Sequence, residues 1–142
     1  VAMTDGNQEL LETTELNLAR NVDVALRRRA SIGRLRWGNA EDIADWAARG
    51  PFDLVIAGEV AYERGAIAAL LGAMKAFMLD ARAAGRAPLA VLQQTPEISD
   101  NGRGIGEVLG VARGLGLAAE VRQGGGGPDR LTEQIELTLA AT

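Results

Sequence analysis

The 142-residue chain contains no cysteine and no histidine. The first absence excludes a disulfide framework and a thiolate zinc site. The second removes the commonest metal ligand and the commonest general base. No metal is therefore expected, and any catalysis must proceed without either side chain. Positive charge is also short. Lys and Arg number 15 against 19 Asp and Glu, a net charge of −4 with a pI near 4.9. Affinity for nucleic acid rests mainly on cations that neutralise phosphates, so this balance argues against a nucleic-acid partner. The one basic cluster, Arg27 to Arg29, reads as a solvated helix end. No apolar run approaches the roughly 20 residues that span a bilayer, and no basic-then-apolar leader is present. The expectation is a soluble cytoplasmic protein without a membrane partner.

What is present is an ordinary globular balance, 47% apolar and 24% charged, at the size of one domain. V-A-M-T-D-G-N reads as the end of a strand followed at once by a turn. Gln8 to Asn21 carries Leu10, Leu11, Leu16 and Leu18 at helical spacing, and Ser31 to Trp37 alternates as a strand. Ala40 to Arg49 places Ile43, Trp46 and Ala47 on one helical face, and Gly50-Pro51 stops it. Phe52 to Ala57 is a short apolar run of the kind covered on both faces in a parallel sheet. Arg64 to Ala84 and Ile105 to Leu115 read as helices, with a buried strand over Leu89 to Gln93 between them. Leu117 to Gln123 and Leu131 to Leu139 flank G-G-G-G-P-D and read as an antiparallel pair at one side of the sheet. Strands alternating with helices predict an α/β fold with a mainly parallel sheet.

Ligands of open α/β sheets sit beyond the carboxyl ends of the strands. Asp5, Trp37, Glu59 with Tyr62, and then Gln93, Gln94 and Thr95 occupy those ends. Asp5 is placed to accept hydrogen bonds from a ribose diol, or else to cap the following helix. Trp37 suits stacking on an adenine or filling the edge of the core. Gly58 permits a ligand to approach the backbone closely, or permits a turn.

T-D-G-N before a helix containing N-L-A-R-N, then L-R-W-G-N, then F-D-L-V-I-A-G-E-V-A-Y, resembles the seven-β-strand protein-lysine methyltransferases, the group that includes the calmodulin-lysine and elongation-factor-lysine enzymes. The resemblance covers Val1 to Pro96, and the remainder fits the closing β-hairpin of that fold. It implies a Rossmann-like sheet with helices on both faces, S-adenosylmethionine as cofactor, and a protein substrate presenting a lysine. It further implies that Asp5 binds the ribose hydroxyls, that Trp37 with Gly38 and Asn39 borders the adenine, and that Ala57 and Gly58 pass their backbone near the methionine part. Glu59 and Tyr62 match an acid-x-x-Tyr signature at the rim where lysine meets methyl donor. The family usually has Asp where Glu59 stands. The plainer reading is that Glu59 caps the next helix and Tyr62 packs under it.

Such chemistry does not need the missing histidine. Methyl transfer from a sulfonium to an amine is an in-line displacement in which alignment and desolvation supply much of the rate. Glu59 would orient the lysine ammonium, and Tyr62 would wall its alkyl stem.

In that family an acid followed by G-x-G-x-G follows a first strand that is central in the sheet. The corresponding strand would lie upstream of Val1, between the strands ending at Asp5 and Ala57. Residues 1–142 are accordingly expected to be one partial methyltransferase domain, the C-terminal part of a catalytic domain. The alternative is a non-catalytic α/β module that kept the fold and binds a partner. N-G-R-G-I-G-E imitates a phosphate loop. It fails the G-x-G-x-x-G spacing at Glu107 and lies about eight residues past its strand, so it reads as a loop entering a helix.

Overall fold

The structure is a computed structural model and describes residues 1–60, 64–94, 104–124 and 132–140. The chain divides into two compact units, Val1–Trp46 and Ala47–Thr142. Both have α/β character with parallel strands and helices, and the second also has antiparallel strands.

The first unit is a β-α-β arrangement. Strand β1 (Ala2–Asp5) leads into helix α1 (Gln8–Asn21) through a turn made by side chains. The Asp5 carboxylate Oδ1 accepts the Asn7 backbone N–H at 2.8 Å, and Asn7 Oδ1 in turn accepts the Glu9 N–H at 2.9 Å. Asn7, not Asp5, is therefore the helix cap. A four-residue helix, α2 (Val24–Arg27), follows, and Asp23 Oδ1 caps it by accepting the Ala25 N–H. The Arg27 to Arg29 cluster lies at its end, as a basic run completing a helix should. Strand β2 (Ser31–Arg34) runs parallel to β1, with Asp5 opposite Arg34.

The strand expected to run to Trp37 stops at Arg34. The chain turns there because the Arg36 carbonyl accepts the Asn39 N–H at 3.1 Å and Gly38 takes φ 81. A positive φ of that size suits the third residue of a type II turn, where glycine fits without a Cβ penalty. Helix α3 (Ala40–Ala47) then folds back so that Trp46, 3% exposed, donates its indole N–H to the Arg34 carbonyl at 2.8 Å. The tryptophan that fills the core is therefore Trp46, and Trp37 is half-buried.

In the second unit, strands β3 (Leu54–Gly58), β4 (Leu89–Gln94), β5 (Leu117–Gly124) and β6 (Thr132–Leu139) form one sheet in the order β3-β4-β6-β5. The β3 and β4 strands are parallel, and β6 is antiparallel to both β4 and β5. The last strand thus sits inside the sheet between β4 and β5. Helix α4 (Arg64–Ala83) buries Ile67, Leu70, Leu71, Met74, Phe77, Met78 and Ala81, the three- and four-residue spacing of one helical face. It packs on β3, β4 and β6, with Phe77 meeting Phe52 edge-on at 5.7 Å. Helix α5 (Gly104–Gly114) packs on β5, and Lys75 of α4 donates to the Leu115 carbonyl just beyond its end.

Strand β3 differs from its sequence expectation. Leu54 and Ile56, on one face, are 50% and 68% exposed, and β3 is an edge strand of this sheet. Among the described residues, β1 pairs only with β2 in the first unit and β3 only with β4 in the second. No described helix is long and apolar enough to cross a membrane.

Candidate functional site

The residues singled out at the strand ends fall into two groups, one in each unit. In the first, Asp5 and the Trp37–Gly38 turn occupy the carboxyl ends of two adjacent parallel strands. The Leu35 N–H donates to the Asp5 carbonyl at 2.9 Å, which carries the β1–β2 pairing one residue past the strands and fixes where the turn begins. Asp5 is half-buried. Its Oδ1 is committed to Asn7, and among the described residues its Oδ2 meets no hydrogen-bond donor. One oxygen is thus anchored while the other is available to a hydroxyl donor.

A compact network fixes the turn that carries Trp37. Asp42, in the first turn of α3, accepts the Arg36 backbone N–H at 2.9 Å and the Arg36 Nε and Nη2 groups at 2.7 and 2.8 Å. Asn39 caps the same helix by accepting the Asp42 N–H at 2.9 Å. The fork of charge-assisted bonds from Arg36, joined by its backbone amide, holds the Asp42 carboxyl well below the usual carboxylate range. The partner effect raises the Arg36 guanidinium, with the hydrogen bond to Asp42 as its main cause. Neither residue stood out in the sequence. The available signal was an Arg and an Asp of opposite charge flanking W-G-N at a spacing that only a turn makes close.

In the second unit, Ala57 and Gly58 end β3 beside β4, with Gly58 opposite Gln93. The next residue, Glu59, holds φ 53 and donates its backbone N–H to the Gln93 carbonyl at 2.9 Å. A positive φ is the conformation glycine favours, and it strains a residue with a Cβ. Gly58 has no such φ, and a Cβ placed on it would meet nothing within 4 Å among the described residues. The glycine therefore sits where the protein does not require one, and a glutamate sits where the backbone favours one. Tyr62 and Thr95 lie outside the described residues, as do the first three residues of N-G-R-G-I-G-E and most of the glycine run.

A family model for lysine methyltransferases matches residues 1–84. The chain belongs to the lysine methyltransferase family. No curated protein matches it. Among solved structures it is similar to the cofactor-bound Rv0187 from MTB, with a TM-score of 0.58 and 20% identity over 99% of this chain. That likeness is one of fold. This chain spans 62% of that neighbour's length. Family membership carries S-adenosylmethionine as the cofactor, and the residues here fit it. Within the first unit, a carboxylate with one open oxygen suits a diol and a half-buried tryptophan beside a glycine turn suits a purine edge; within the second, the space over Gly58 among the described residues suits a ligand lying close to backbone.

Proposed function

We propose that the protein transfers a methyl group from S-adenosylmethionine to a lysine side chain of a protein substrate, and that residues 1–142 are the C-terminal part of its catalytic domain. The observation that carries this reading is the pair Gly58 and Glu59. Backbone strain in a non-glycine residue is retained where its side chain is needed, and an unforced glycine is retained where something outside the chain comes close. At the carboxyl end of a parallel strand, both requirements are those of a ligand site.

The bound cofactor supplies an electrophilic methyl group on a sulfonium centre. The protein must then bind and align. Asp5 Oδ2 would accept from the ribose hydroxyls, Trp37 and Gly38 would border the adenine, and the Ala57–Gly58 backbone would lie along the methionine portion. Glu59, exposed at the strand end, would accept from the incoming lysine ammonium and hold its nitrogen in line as the proton is lost to water. Tyr62, from its position in the acid-x-x-Tyr signature, would wall the alkyl stem. Glu is one methylene longer than the family's usual Asp, and its left-handed backbone sets how that extra length is directed.

Two further observations favour the partial-domain reading. Among the described residues, strands β1 and β3 each have a parallel partner on one side only, and β3 exposes Leu54 and Ile56. An additional parallel strand would satisfy backbone groups and cover apolar area that folded proteins seldom leave open.

The test is transfer of a labelled methyl group by the full-length protein to lysine residues of proteins in a cell extract, followed by mass-spectrometric location of the label. Label on lysine that disappears with Glu59→Ala supports the reading. Cofactor binding with no transfer to any protein favours a binding module that kept the fold.

A further inference from the structure

The Arg36–Asp42 pair is more elaborate than the end of a short helix requires. Asn39 already caps α3 through the Asp42 N–H, and the Asn39 carbonyl receives the Ile43 N–H. A capping box would have the acid three residues into the helix reach back to the amide of the cap. Asp42 instead reaches past Asn39 to the Arg36 amide and takes the Arg36 guanidinium in a bidentate grip. Three residues, Trp37, Gly38 and Asn39, separate Arg36 from the start of α3, and Asp42 lies in the first turn of that helix. The turn is closed from within by Asn39 N–H to Arg36 O, at its start by Leu35 N–H to Asp5 O, and across its base by Asp42. The indole of Trp46 on Arg34 O adds a further tie just upstream. Asp42 is only 14% exposed, so one end of the ion pair is sheltered from water.

We infer that Arg36 and Asp42 are positioning residues that set the Trp37–Gly38 turn for the adenine end of the cofactor. This rests on the reading that Trp37 borders that adenine. An exposed turn containing glycine samples many conformations, and each one lost on binding weakens affinity. Fixing both ends of a three-residue segment beforehand removes that loss. Arginine suits the task because its planar fork satisfies both carboxylate oxygens at once, which a lysine cannot do.

The experiment is a double-mutant cycle on S-adenosylhomocysteine binding by the full-length protein, read by calorimetry, with melting temperatures recorded in parallel. Asp42→Asn and Arg36→Lys are each expected to weaken binding about tenfold, as contacting groups couple on that scale. Trp37→Ala should weaken it at least as much, and Asp42→Asn added to Trp37→Ala should weaken it no further. That non-additivity is the decisive readout, since general destabilisation would lower affinity whatever stands at position 37. If Asp42→Asn has its full effect in the Trp37→Ala background, or if neither clamp variant alters affinity while Trp37→Ala does, the positioning role is wrong and the site reading survives. If Trp37→Ala leaves binding unchanged, or wild-type protein does not bind, the site reading falls and the clamp with it. Arg36→Lys keeps the charge and guards against an Asp42 variant that does not fold.

Discussion

Glu59 donates its backbone N–H to the Gln93 carbonyl while its own φ is 53, so a left-handed glutamate is tied to the end of the neighbouring parallel strand. The bond holds the strained residue where β3 ends. It also separates what the backbone prefers at position 59 from what the side chain does there.

Replacing Glu59 by glycine and by alanine should expose that separation. Both changes remove the carboxylate and anything it touches, but only glycine relieves the positive φ. Glu59→Gly should therefore be more stable than Glu59→Ala by about 1 kcal/mol, while both lose methyl transfer with cofactor affinity nearly intact. Thermal unfolding and single-turnover rates on the two proteins check it. If both keep the wild-type rate per folded molecule, Glu59 is scaffolding.

Gly58→Ala makes the complementary case. No atom of the described residues lies within 4 Å of the added Cβ, so stability should stay level or rise by a few tenths to about 1 kcal/mol as the unfolded chain loses freedom. Cofactor affinity should fall, because the methyl group occupies space the ligand is proposed to use. Unchanged affinity by calorimetry would place the methionine portion elsewhere.

Asp5→Ala removes both an anchored and an open oxygen. In the full-length protein it should weaken S-adenosylmethionine by roughly 1.5–3 kcal/mol, the range for hydrogen bonds to a charged group. It should also loosen the turn into α1, since the Asn7 amide loses its acceptor. Asn7→Ala serves as the control, lowering helix stability by about 1 kcal/mol with little change in affinity. Equal effects of the two variants on binding would make Asp5 a turn residue alone.

The Arg36–Asp42 pair predicts an unusual response to acid. The folded-state value of Asp42 lies below its unfolded one, so its contribution is present above the ordinary carboxylate value, about 4, and is lost only as pH falls through the depressed folded value. Arg36 is shifted upward, and its contribution is therefore present throughout the neutral range. The Arg36 amide should remain protected from hydrogen exchange down to pH 4, where exposed carboxylates are already protonating. Loss of protection near pH 5 would show that the grip is not maintained in solution.

Local signals in the sequence were enough for most of the elements. Gln8 to Asn21 is the helix its leucine spacing predicts, the helix predicted over Arg64 to Ala84 ends one residue earlier, and the strand beginning at Leu89 runs one residue further than its apolar run. Burial of one face decides α4, whereas in α1 only Leu11 of the predicted leucine face is buried and Leu10 and Leu16 are exposed, so the Asn7 cap rather than a covered face marks where that helix begins. The α2 helix escaped notice because four residues are too few to show a period, although Asp23 followed by V-A-L-R offered a capping signal. Tertiary structure alone decided which tryptophan is core. The sequence offered a core position for both, Trp46 on a helical face and Trp37 at a strand end, and only the fold of α3 against β2 brings Trp46 onto the Arg34 carbonyl. It also decided that Asn7 rather than Asp5 caps α1, that β6 lies between β4 and β5, and that Asp42 reaches Arg36. These outcomes depend on pairings between distant residues and on side-chain directions, quantities with no period along the chain. The acid at position 59 was legible as a candidate from its place after an apolar run. Its left-handed backbone was not, because a strained φ follows from the tie to Gln93 and runs against what glutamate prefers by itself.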